Sequence, residues 1–284
     1  MQPVVTTSWL AARLGSPGLR VLDGSWYLPG SGRDAVAEYL AGHIPGAVFF
    51  DLDANSDPGT SLPHMLPSPE SFAAGMSALG ITNSDELVIY DSSGVNLSAA
   101  RVWWTFRVFG HQRVAVLDGG LGKWTAENRP LETGAVGLPP SRFVANLHPG
   151  LVRSLAAVRA NLEHRREQVV DMRSAARFAG DAPEPRPGLR AGHIPGSRNL
   201  PYTDLVQSDG TILPEAELRR RIEAAGVDLS QPVVATCGSG TSACTLLLGL
   251  ELLGVLDAAV YDGSWTEWGG QLDTPVERGP PSEA

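Results

Sequence analysis

Apolar residues along this chain gather in short, uninterrupted blocks rather than in alternating order. Leu87-Val88-Ile89-Tyr90, Val114-Ala115-Val116-Leu117, Val233-Val234-Ala235 and Ala258-Ala259-Val260-Tyr261 are each bounded by polar or turn-forming residues. Runs of four or so are too short for helices, and their continuous apolar character predicts strands covered on both faces, as in a parallel sheet. Between them lie longer stretches punctuated as helices. Ser68-Pro69-Glu70 supplies an N-cap, a first-turn proline and a first-turn acid, and Gly80 closes that segment. Gly110 closes the segment carrying Trp103 and Trp104, Ser154 opens one running to about Arg166, and Pro214-Glu215 opens one that Gly226 closes. Strands alternating with helices predict an α/β fold, with a mainly parallel sheet and helices on both faces.

The same order of blocks occurs twice. Gly42-His43-Ile44-Pro45-Gly46 returns as Gly192-His193-Ile194-Pro195-Gly196, and Val21-Leu22-Asp23 ahead of the first copy matches Val169-Val170-Asp171 ahead of the second. Leu87–Asp91 pairs with Val233–Cys237. Val114–Gly120 pairs with Ala258–Ser264, and each of these reaches a tryptophan six residues after its aspartate, at Trp124 and Trp268. Two domains of one fold are expected, over residues 1–135 and 150–284, joined by a Gly- and Pro-rich linker at about 131–150. The length of 284 residues suits two domains.

Composition narrows the function. With 43% hydrophobic and 19% charged residues the chain is globular material, and 32 glycines with 22 prolines predict many turns. A net charge of −9 argues against a nucleic-acid partner. No apolar stretch is long enough to span a bilayer and the N-terminus has no signal-peptide pattern, so no membrane partner and a cytoplasmic location are expected. The six histidines and two cysteines show no ligand spacing for a metal, and no phosphate-binding glycine motif follows the first strand. No cofactor and no metal are expected.

The two cysteines differ in setting. Cys244 lies inside the apolar run Ala243–Leu253 and reads as a small core residue. Cys237 stands at a strand end and opens the loop Cys237-Gly238-Ser239-Gly240-Thr241-Ser242 before that helix. Strand ends of this kind bind ligands in open α/β sheets. The helix N-terminus and a glycine-rich backbone can turn several N–H groups inward, favouring a thiolate nucleophile. A cysteine phosphatase would need an arginine six positions after the cysteine, where Ala243 stands. The first copy carries Asp91 at the matching place, so it is expected to be non-catalytic.

These features together resemble the two-domain rhodanese family of sulfurtransferases. Cys-Gly-Ser-Gly resembles its 3-mercaptopyruvate branch, whereas the thiosulfate branch carries Arg and Lys after the cysteine. The segments Gly24–Pro29 and His64–Pro67 resemble the same branch. The resemblance implies two tandem rhodanese-like domains. It implies a persulfide on Cys237, stabilised by the Gly238, Gly240, Thr241 and Ser242 loop, formed from a small anionic sulfur donor and discharged to a thiol acceptor such as a thioredoxin. It assigns donor binding to Arg177 and Arg186, and proton transfer to Ser239 and His64 with Asp53 as charge partner. Residues 151–200 hold nine arginines against five acids, a local excess of the right sign for an anion. Thiosulfate is the alternative donor, and a non-catalytic docking or redox-sensing module is the alternative class.

Overall fold

The computed structural model describes residues 1–281. Among these the chain forms two compact units. The first is built from β1 (Val4–Val5), α1 (Thr7–Arg13), β2 (Leu19–Asp23), α2 (Ala35–Ala41), β3 (Val48–Phe49), α3 (Pro69–Ala78), β4 (Glu86–Tyr90), α4 (Leu97–Val108), β5 (Val114–Leu117) and α5 (Gly120–Ala126). The second repeats the series as β6 (Val152–Arg153), α6 (Leu155–His164), β7 (Gln168–Asp171), α7 (Ala175–Ala179), β8 (Arg198–Asn199), α8 (Glu215–Ala224), β9 (Val233–Thr236), α9 (Ala243–Leu252), β10 (Ala258–Tyr261) and α10 (Ser264–Trp268).

Each unit contains a five-stranded, wholly parallel sheet, in the order β1-β5-β4-β2-β3 and β6-β10-β9-β7-β8. The central strands are the apolar runs of the sequence, and every residue of β5, β9 and β10 is buried. Helix α9 is buried at eight of its ten positions, as a helix apolar all round must be. In the first unit Phe72 stacks on Phe109 at 4.4 Å and meets Phe106 and Phe143 edge-on.

Two features differ from the linear reading. The stretch expected as a linker is bound to the first unit as far as His148. Glu132 bridges to His43, Phe143 enters the aromatic cluster, and the Asn146 and His148 amides donate to Phe109 and Val108. The units also exchange short segments: Gly59–Met65 groups with the second unit, and Val206–Ile212 with the first. The two units are thus each made of more than one stretch of sequence. The 206–212 segment is held by hydrogen bonds rather than apolar burial. Asn96 Nδ2 donates to the Gly210 carbonyl at 3.0 Å, the Ile212 amide donates to Asp118 Oδ1 at 2.8 Å, and Lys123 pairs with Asp209 at 2.9 Å.

The repeated His-Ile-Pro-Gly turns are built alike. In each, the histidine Nδ1 meets a backbone carbonyl, of Tyr39 for His43 (2.8 Å) and of Phe178 for His193 (2.9 Å). The imidazoles stack on those same two rings, and a glutamate, Glu132 or Glu277, receives the amide of the turn's closing glycine. The two histidines thus hold turns.

Candidate active site

Cys237 follows β9 directly and is buried. Gly240 takes φ +75°, a left-handed conformation that a side chain would strain, and it turns the loop back toward the start of α9. The loop is stapled by the three residues that open α10. Ser264 Oγ accepts the Cys237 amide at 3.2 Å and donates to the Tyr261 carbonyl at 2.7 Å. The Trp265 amide donates to the Cys237 carbonyl at 3.0 Å. Thr266 donates twice to the Gly238 carbonyl, from its amide at 2.8 Å and its hydroxyl at 2.6 Å. Within the loop the Ser239 and Thr241 hydroxyls lie 3.5 Å apart, both buried. Cys244 is the core residue expected, its thiol donating to the Gly240 carbonyl at 3.2 Å, and both cysteines are free thiols.

A chain of charges runs up to this loop from β7. Arg173 is buried and grips Asp171, with Nη2 to Oδ2 at 2.6 Å, and also donates to the Gly192 carbonyl. Its other terminal nitrogen meets Glu184 at 2.7 Å, and its guanidinium lies 4.4 Å from the centre of the Trp265 ring. Burial opposes the charge on Arg173, but the Asp171 and Glu184 carboxylates outweigh it and keep the guanidinium protonated. Glu184, itself buried, then receives Arg177 Nη2 at 2.5 Å and Nε at 3.3 Å. Arg177 keeps about a quarter of its side chain exposed, and a Cβ added at Gly238 would stand 3.0 Å from its Nη2. The fork of Arg177 therefore lies against the residue after Cys237, oriented by a carboxylate whose charge Arg173 offsets.

The matching turn of the first unit shows what such a loop can hold. Asp91 Oδ1 accepts the Ser93 amide (2.9 Å) and hydroxyl (2.7 Å), and Oδ2 accepts the Ala99 amide (2.9 Å) and the Ser98 hydroxyl (3.3 Å). The loop has the same length in both copies, since α4 begins six residues after Asp91 and α9 six after Cys237. In the first unit an anion made by the chain itself takes those donors.

The proposed site residues fall as follows. Cys237, Gly238, Ser239, Gly240, Thr241 and Ser242 form one continuous loop, with Arg177 beside it. Arg186 is half-buried in the loop between α7 and β8. His64 is buried, takes φ +61°, and lies in the segment grouped with the second unit. Asp53 belongs to the first unit and accepts Trp26 Nε1 at 2.9 Å. Ser264, Thr266, Arg173 and Glu184 were not singled out from the sequence. The first two were signalled by the repeat, where Gly120 and Gly122 stand in their places. Among the described residues no helix is long and apolar enough to cross a membrane, and no group of three or more His, Cys, Asp or Glu side chains is placed to hold a metal ion.

Comparison with known proteins matches the architecture. The Rhodanese-like domain model matches residues 6–127 and again 154–271. The chain is 48% identical to the mitochondrial thiosulfate/3-mercaptopyruvate sulfurtransferase 1 of Arabidopsis thaliana, over 97% of this chain and 78% of that protein. It is 47% identical to the human 3-mercaptopyruvate sulfurtransferase, over 93% and 91%. A crystal structure of a 3-mercaptopyruvate sulfotransferase from Escherichia coli superposes with a TM-score of 0.85 at 41% identity, covering 93% of this chain and 99% of that one. The chain belongs to the rhodanese family, with one rhodanese-like domain in each half.

Proposed function

We propose that this sulfurtransferase takes sulfur from 3-mercaptopyruvate, carries it as a persulfide on Cys237, and passes it to a thiol. The Cys237 thiolate attacks the donor sulfur. The carbon–sulfur bond breaks, its electron pair leaves as the enolate of pyruvate, and a proton completes pyruvate. An acceptor thiolate then attacks the outer sulfur and releases the Cys237 thiolate. Loop amides following Cys237 stabilise the sulfur anion, as donors aimed at developing charge do. Arg177 and Arg186 bind the donor's carboxylate and ketone, a task suited to forked cations. Ser239 and His64 move the proton, with Asp53 balancing the charge. The acceptor is a small thiol or a dithiol protein such as a thioredoxin, and the enzyme works in the cytoplasm.

The observation that carries this reading is the Arg177 guanidinium lying against Gly238, the residue after the nucleophile. A longer side chain at 238, of the sort that gives a thiosulfate site its charge, would start 3.0 Å from that guanidinium. The direct test compares the two donors with cyanide as acceptor. A higher kcat/KM with mercaptopyruvate is expected, and a higher value with thiosulfate would reverse the donor assignment. Mass spectrometry after donor treatment should show one added sulfur on the wild type and none on Cys237→Ser.

A further inference from the structure

We infer that Thr266 is a positioning residue for sulfur transfer, fixing the peptide between Gly238 and Ser239 so that the Ser239 amide faces the Cys237 sulfur. The inference rests on the reading of Cys237 as sulfur carrier and extends it to a residue outside the loop.

The argument begins with the peptide unit. In a trans peptide the carbonyl and the following N–H point in opposite directions. Orienting the Gly238 carbonyl therefore orients the Ser239 amide. Gly238 has no Cβ to bias the plane, and a peptide flanked by glycine can turn over at little steric cost. Something else must select the orientation, and Thr266 gives that carbonyl two hydrogen bonds, from amide and hydroxyl. With the oxygen tied to the first turn of α10, the Ser239 N–H is directed the other way.

The first unit shows where that direction leads. There the residue matching Gly238 is Ser92, and its carbonyl is also tied, by Arg33 Nη1 at 3.2 Å. The next amide, that of Ser93, points at the key side chain and donates to Asp91 Oδ1 at 2.9 Å. Both copies thus fix the carbonyl after the key residue, but by different means. Gly122 stands at the position of Thr266 and has no hydroxyl to offer. Where the side chain is a carboxylate made by the chain, it draws the amide to itself. Where it is a sulfur that must be loaded and unloaded, the amide needs an external clamp in every state, and the Thr266 hydroxyl strengthens it.

Thr266→Val removes the hydroxyl at nearly constant shape while leaving the backbone donor. One hydroxyl–carbonyl hydrogen bond of ordinary net strength corresponds to about two- to tenfold. The experiment measures cyanide-trapped sulfur transfer, persulfide lifetime without acceptor, and thermal unfolding for wild type, Thr266→Val, Thr266→Ser and Cys237→Ser. Expected are a two- to tenfold lower kcat for Thr266→Val with KM for mercaptopyruvate unchanged, a persulfide shortened by a similar factor, and near wild-type behaviour for Thr266→Ser. Should Thr266→Val fail to fold, Thr266→Ala takes its place. Wild-type kcat in the hydroxyl-free variant, a change confined to KM, or equal impairment of the serine variant would overturn the inference. Transfer surviving in Cys237→Ser would instead overturn the assignment of the sulfur carrier. An inactive Cys237→Ser beside an unaffected Thr266→Val would leave that assignment standing and sink only the role of Thr266.

Discussion

Gly238→Ala separates catalysis from stability at this site. Gly238 does not use a left-handed φ, so alanine fits its backbone, and such a replacement stabilises by roughly 0.4–1 kcal/mol through the unfolded chain. The new methyl would stand 3.0 Å from Arg177 Nη2. Ordinary contact between such atoms is about 3.5 Å, so the guanidinium must give way by about 0.5 Å. Its retreat is limited, because Nη2 already holds Glu184 at 2.5 Å and Glu184 is tied to buried Arg173 at 2.7 Å. Misplacing a positioning group by 1 Å costs roughly a hundredfold, so half that displacement predicts about a tenfold loss of kcat/KM for mercaptopyruvate. Unfolding should move by only about 3 °C in either direction. The decisive assay is a double-mutant cycle with Arg177→Ala, since residues in contact are coupled and distant ones are not. If the methyl acts through Arg177, adding Gly238→Ala to Arg177→Ala should change kcat/KM less than about twofold. A full tenfold loss in that background would refute the reasoning and place the effect in the loop itself.

Two further outcomes follow from the first unit. Asp91→Ala removes the acceptor for two amides and two hydroxyls at the start of α4. Loss of the cap with its buried donors predicts about 2–4 kcal/mol and a fall of roughly 5–10 °C in the unfolding temperature by calorimetry, with sulfur transfer at 25 °C retained; a shift under about 2 °C would contradict the role given to this carboxylate. Asp23 is buried, and desolvation, reinforced by the nearby Asp91 charge, holds its carboxyl above the ordinary range despite hydrogen bonds from Ser25. The folded state therefore binds this proton more tightly than the unfolded state, so Asp23 favours folding at low pH, and that contribution is lost as pH rises from the unfolded value through the raised one. Asp23→Asn, which keeps an oxygen for the Ser25 amide, should be more stable than wild type at pH 7, with the difference shrinking toward pH 4; a pH-independent difference would show that burial of the charge is not the cause.

Much of this architecture is legible in the sequence because it is written in apolar runs and turn residues. The duplicated Gly-His-Ile-Pro-Gly segments, the strand ending at Cys237 and the cap at Ser68 each depend on local signals, and each sits where those signals put it. The exchanged segments depend on something else. Val206–Ile212 carries Ser208-Asp209-Gly210, which reads as a solvent turn, yet its Gly210 approaches Gly94 so closely that a Cβ would lie 2.6 Å from the Gly94 carbonyl oxygen. No periodicity encodes a segment held by a close backbone approach and a few side-chain bonds. Glu184 illustrates the same limit at the site. A glutamate between two prolines looks like surface, and its burial follows only when Arg173 and Arg177 arrive from β7 and α7 to share it.

The contrast between Asp91 and Cys237 links the fold to its chemistry. Both copies keep the six-residue interval to the helix, and Gly94 and Gly240 share a left-handed conformation, so the two loops follow a like path, which in the first copy gathers N–H groups around the Asp91 side chain. A carboxylate satisfies those donors permanently, caps its helix and leaves them unavailable to an incoming anion. Under the proposed function, a Cys237 thiolate, larger, more weakly hydrogen-bonding and nucleophilic, would let the equivalent donors follow its charge outward onto an added sulfur atom. In that reading the amides would keep their places between the free and loaded forms, and only the atom that bears the charge would change. The second copy braces its loop with the Ser264 and Thr266 hydroxyls, where the first copy has Gly120 and Gly122 and instead ties the Ser92 carbonyl with Arg33, itself paired with Glu38. In the first copy Arg33 holds that peptide at its oxygen and the Asp91 carboxylate holds it at its N–H.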